Sequence, residues 1–186
     1  VKSFKKNNAS VSLESLLNCI CGFSTNIEIY NLLNLDLKET EALFFLKLLT
    51  VGVDQHQNHN NNSTIPIIKK TINVLSYLAR IPRTDLLEFN RQVGDTLLTI
   101  LNGNNINIDI ISESLDAIYD IYADKAYYYD KPVFVDGNMC SKLEYILPQI
   151  RAQIRQIDRR KASDSRNTAD IALVNLRAFI KYKKSE

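Results

Sequence analysis

The sequence predicts an all-α chain of antiparallel helix pairs stacked as a solenoid, and three observations carry that expectation. Apolar residues recur with a helical period of about 3.6 almost from end to end. Turn punctuation is sparse: five Gly and four Pro in 186 residues leave too few breakers for a sandwich or barrel of many short strands. With 45% hydrophobic and 24% charged residues the composition is globular, and the chain is long enough to bury a sizeable core.

About eight helices are expected. The first, near 12–22, places Leu13, Leu16, Leu17 and Ile20 on one face, and a short second covers 26–34. The third, near 38–51, carries Leu43, Leu46 and Leu49, with Glu39 and Glu41 placed to complement its N-terminal dipole. Residues 54–64 are Asn-rich and expected as a low-complexity loop, separating first helical repeats at 1–53 from C-terminal repeats and a cap at 65–186. The fourth helix, 66–79, opens with Pro66 in its first turn and stops before Pro82. Thr84 or Asp85 caps the fifth, which runs to Leu101 and halts at Asn102 and Gly103. The sixth spans 108–123, the seventh 139–161 with an interruption or kink at Pro148, and the eighth 168–183 with Thr168 as its cap. Pairs of such helices, spaced about 40 residues apart, fit a HEAT- or armadillo-like array. No strict sequence repeat is visible, so an irregular bundle is the alternative architecture.

Several function classes are disfavoured. There is no nucleophile elbow, phosphate loop or metalloprotease signature, and five glycines supply little of a phosphate cradle. No enzyme and no cofactor are expected. His56 and His59 lie in the Asn-rich tract without further ligands beside them, so solvated filler is preferred to a metal site. Cys19, Cys21 and Cys140 are odd in number and lack a second pair at zinc spacing; they read as small buried residues in a reducing cytosolic or nuclear setting. The strongest apolar run, 42–49, contains Lys47 and falls far short of the roughly 20 residues a bilayer span needs. No membrane partner and no signal peptide are expected. The chain opens at Val1 rather than Met, as a piece of a longer protein would.

Charge is the feature that points to function. Between 109 and 136 there are seven acids against Lys125 and Lys131, whereas from Lys142 onward eleven Lys and Arg face five acids. The whole chain is only +2, so the two fields nearly cancel in the total. Separated fields of opposite sign on a rigid scaffold favour charged macromolecular partners. On the sixth helix Glu113, Asp116, Asp120 and Asp124 follow at i, i+3, i+7 and i+11, a nearly straight acidic stripe beside the apolar face of Ile111, Leu115, Ile118, Tyr119 and Tyr122. Like charges one turn apart repel, and no lysine on the helix relieves them. A cationic client would; a plain solvated face is the competing reading. Arg151, Arg155 and Arg159 repeat every four residues, and Arg160, Lys161 and Arg166 extend the field. That stripe could meet RNA phosphates, with a solvated basic face again the competing reading. Tyr127, Tyr128 and Tyr129 could anchor a partner or fold back onto the helices.

The C-terminal portion also resembles a known family. The run from Ser114 to Asp124, then Tyr129 and Asp130, Val133 to Val135, Leu147 to Arg151, and the closing Asn175 to Lys183 together resemble the end of the symportins, over about 107–183. The order and spacing of these pieces carry the resemblance. It implies a HEAT-repeat adaptor and chaperone that binds the basic ribosomal proteins associated with 5S rRNA. It further implies delivery to a nuclear import receptor through parts absent from this chain, localisation to cytoplasm and nucleus, and a place in ribosome assembly. An RNA-binding module acting on 5S rRNA itself, or a purely structural solenoid cap, are the alternatives.

Overall fold

The computed structural model describes residue 15 and residues 39–59, 62–79, 87–103, 106–122, 137–157 and 163–184. All the regular structure among them is helical: α1 (Glu39–His59), one 3-10 turn (Asn62–Thr64), α2 (Ile65–Ala79), α3 (Leu87–Leu101), α4 (Ile108–Tyr122), α5 (Gly137–Gln156) and α6 (Ser163–Lys183). The first two expected helices lie outside the described residues. The chain divides into two compact units, Val1–Ile81 and Pro82–Glu186.

In the first unit α1 packs along α2. Leu49 and Val53 are buried on one helix, and Ile68, Ile72 and Leu75 on the other. The helices approach closely at Gly52, where a Cβ would stand 3.1 Å from Ile68 Cγ1. One expectation is corrected here. Helix α1 does not stop at residue 51 but runs through Asp54 to His59, taking in half of the Asn-rich tract. The reason is packing: Val53 and His56 fall on the same face as Leu49, and both are buried. Tertiary burial overrides the weak helix propensity of the tract.

In the second unit α3 pairs with α4 and α5 with α6, and the two hairpins stack so that α5 lies on α3 and α6 on α4. First helices against first and second against second is the packing of a helical-repeat solenoid. Helix starts at 39, 87 and 137 recur at intervals of 48 and 50 residues, longer than the expected spacing. The core is continuous across the stack: Phe89, Val93 and Leu97 on α3, Ile111, Leu115 and Ile118 on α4, Leu143, Leu147 and Ile150 on α5, and Ala172, Leu173 and Leu176 on α6. The Asn102 and Gly103 stop operates as expected. Their N–H groups donate to the Leu98 and Ile100 carbonyls at 3.0 Å each, closing α3.

Two helix boundaries differ from expectation. α5 ends at Gln156 instead of 161, turning at Ile157, whose N–H donates to the Ile154 carbonyl at 3.2 Å. α6 begins at Ser163, five residues before Thr168, with Asp164 in its first turn to complement the dipole. Pro148 sits inside α5, on the exposed face, where its missing N–H costs one intrahelical bond without ending the helix.

Candidate functional site

The acidic helix is built from its first residue. Asn107 caps α4: its side-chain Oδ1 accepts from the Asp109 N–H at 2.8 Å, while its carbonyl accepts from Ile110 and Ile111. Asp109 then sits in the first turn, favoured by the dipole, and accepts a hydrogen bond from the Ser165 hydroxyl of α6. Ten of the fifteen residues of α4 are buried, because α3 covers one side and α6 another. What remains is a strip of Asp109, Glu113, Asp116, Tyr119 and Asp120, each half-buried.

The expected stripe is therefore present as a line of carboxylates, but it lies partly sunk between neighbouring helices and not on a fully exposed face. Asp109 belongs to it at i−4 from Glu113, a position that the spacing alone could have added. Tyr119, expected on the core face, faces the strip instead. Asp124 lies outside the described residues, as do Tyr127, Tyr128 and Tyr129.

Asp116 is the distinctive member. Burial raises its carboxyl above the ordinary carboxylate value, and among the described residues it makes no hydrogen bond or ion pair. An unrelieved, half-desolvated carboxylate disfavours the charged folded state. Because the folded value is raised, the associated stability is full below the ordinary carboxylate range and is lost as pH rises through the raised value. Asp116→Asn should accordingly stabilise the protein at neutral pH by about a few tenths of a kcal/mol, after screening. In acid below the carboxylate range it should change nothing; urea midpoints at the two pH values check this.

The basic stripe is only partly brought together. Arg151 and Arg155 are exposed on α5 and have no partner among the described residues. Arg159, Arg160 and Lys161 lie outside them. Arg155 has no ion pair to Asp120, so the two fields do not cancel through that contact.

Arg166 is a correction. It was expected to extend the basic surface, but it is buried and its Nη1 donates to the Ile157 carbonyl at 2.8 Å. The earlier start of α6 places it inside the helix, reaching across to close the C-terminal end of α5. Arg166→Met should lower stability by about 1–3 kcal/mol, because it leaves the Ile157 carbonyl unmatched at a buried position. A urea melt followed by far-UV circular dichroism measures it. Other cations of the basic end are spent on stacking: Lys142 pairs with Asp95 at 2.7 Å, tying α5 to α3, and Lys184 with Glu144 at 2.6 Å, tying α6 to α5.

Other candidate chemistry finds little support in the geometry. Cys140 is a free, buried thiol whose pKa burial pushes up, which makes it a poor nucleophile. Among the described residues no group of three or more His, Cys, Asp or Glu is arranged to hold a metal. No described helix is long and apolar enough to cross a membrane.

A family model described as SYO1-like, TPR repeats matches residues 8–186. The chain is 34% identical over 125 residues to the fission yeast Schizosaccharomyces pombe protein Syo2, an armadillo repeat protein involved in nucleocytoplasmic transport. It is 40% identical over 116 residues to Symportin 1 of Chaetomium thermophilum, and 29% identical over 131 residues to Synchronized import protein 1 of Saccharomyces cerevisiae. These alignments cover 67%, 62% and 70% of this chain but only 19%, 17% and 21% of the respective relatives, so the chain spans about one fifth of their length.

Proposed function

The chain belongs to the SYO1-like, or symportin, family of helical-repeat proteins, and from that premise we propose that it is part of a non-enzymatic adaptor for nucleocytoplasmic transport. Its clients are basic ribosomal proteins of the kind that associate with 5S rRNA, bound stoichiometrically and shielded during import. The import receptor is met through parts of the protein absent from this chain, and the adaptor moves between cytoplasm and nucleus.

The observation that supports the reading is Asp116: a carboxylate held half-buried and unpaired in a line with Asp109, Glu113 and Asp120. Such an arrangement is unfavourable in the free protein and is relieved when a Lys or Arg of a client arrives. The partly sunk setting strengthens the effect, since water screens the pair less than on an open face. A purely structural cap is less well supported. A capping helix presents a polar outer face, whereas α6 exposes Ile171 at 62%, Val174 at 65% and Tyr182 at 60%.

The test is a titration of the chain with a purified 5S-rRNA-binding ribosomal protein, and separately with 5S rRNA, across a salt series. Saturable binding to the protein is expected, with Asp116→Lys, Asp120→Lys and Asp124→Lys together abolishing it, since like charges across an interface oppose association strongly. Binding to RNA alone, unchanged or improved in the triple variant, would overturn the client reading. The RNA alternative has one observation in its favour, the exposed and unpartnered Arg151 and Arg155.

A further inference from the structure

A groove of about 320 Å³ runs between α5 and α6 on the second unit, away from the acidic strip's own residues. Its floor is apolar, made by Leu147, Pro148 and Ile180. Its rim is cationic: Arg177, Lys181 and Lys184 stand on the α6 side, and Glu144 on the α5 side is the one acid among the described residues that line it. Glu144 is already neutralised by Lys184 at 2.6 Å. Arg177 and Lys181 have no carboxylate partner among the described residues, so the groove keeps a net positive rim. Three and seven residues beyond Pro148, on the same face of α5, Arg151 and Arg155 continue the positive wall past the end of the groove.

We propose that this groove docks an acidic peptide segment that carries an apolar side chain. The apolar side chain covers Leu147, Pro148 and Ile180, and the flanking carboxylates meet Arg177 and Lys181. Charge complementarity decides the sign of the partner, and the floor decides its class. Single-stranded RNA would be held by phosphate contacts plus bases stacked on aromatic rings, and among the described residues none that lines the groove is aromatic. Tyr145 and Tyr182 are exposed nearby in sequence but are not among its lining residues. The groove thus adds a second site of opposite charge preference to the acidic strip, and it stands whether or not the strip binds ribosomal proteins.

Fluorescence anisotropy on the whole chain tests it with three fluorescein-labelled peptides of repeating Glu-Glu-Leu, Glu-Glu-Ser and Lys-Lys-Leu, and with a labelled uridine oligonucleotide. Glu-Glu-Leu should bind saturably and more tightly than the other three. Arg177→Glu with Lys181→Glu should weaken it by about tenfold or more, from two reversed rim charges. Lys181 is exposed and Arg177 half-buried, so Arg177→Ala with Lys181→Ala, which should weaken it less, guards against a folding artefact. Absence of Glu-Glu-Leu binding would overturn the proposal. So would equal affinity for Glu-Glu-Ser or the oligonucleotide, or binding untouched by the double reversal.

Discussion

Gly94→Ala should destabilise the second unit by about 1–3 kcal/mol, although alanine is normally the better helix former. In an exposed helix the change would gain up to about 1 kcal/mol by restricting the unfolded chain. Here three helices converge on the missing side chain. A Cβ on Gly94 of α3 would press on the Tyr122 hydroxyl of α4, stand 3.0 Å from Tyr122 Cζ, and come within 2.7 Å of Met139 Cε on α5. The methionine end can swing aside, but the tyrosine ring is buried, with its hydroxyl donating to the Asn90 carbonyl at 3.4 Å. That enclosure, with Asp95 nearby, also pushes the phenol above its ordinary pKa. Overpacking therefore outweighs the propensity gain. Chemical denaturation should show a lower midpoint for Gly94→Ala, and Tyr122→Phe added to it should restore part of the loss by removing the obstructing oxygen. An unchanged midpoint would mean that the three helices can separate freely at this point.

Leu115→Ala should be larger still, at about 2–5 kcal/mol. Leu115 is fully buried on α4, a helix covered by both α3 and α6, so the vacated space is walled by two packed neighbours and closes poorly. The adjacent residue gives the opposite sign, since Asp116→Asn removes a desolvated charge and should stabilise. One position apart on one helix, the core side and the strip side respond in opposite directions. Midpoints and slopes from urea titrations of both variants make the comparison, and a common slope would show that neither alters the extent of unfolding. The pair also separates stability from the proposed client binding: under that proposal Leu115→Ala should lose client only as far as it unfolds, while Asp116→Asn should lose client while gaining stability.

The helical class and most helix positions were legible in the sequence because they rest on local pattern. Pro66, the Asn102 and Gly103 stop, and the period of Ile111, Leu115 and Ile118 each act within a few residues of themselves, and α2, α3 and α4 lie where those signals place them. The errors fall where contacts outside the residue's own helix decide. Asp54 to His59 looked like loop by composition, but the burial of Val53 and His56 keeps the helix going. Arg166 looked like surface charge, but the earlier start of α6 turns it onto the Ile157 carbonyl.

The sequence by itself determined an all-α repeat chain, a line of carboxylates on one helix, and two charge fields kept apart along the chain. Periodicity and charge are properties of neighbours in sequence, and they survive any arrangement of the helices. Tertiary structure alone decided which charges remain available. It left the acidic strip half-buried on α4, with Asp116 unmatched there. It consumed Lys142, Lys184 and Arg166 in holding helices together, and it gathered Arg177 and Lys181 around an apolar floor. Desolvation and pairing depend on what stands across the gap, and another helix of the stack supplies it.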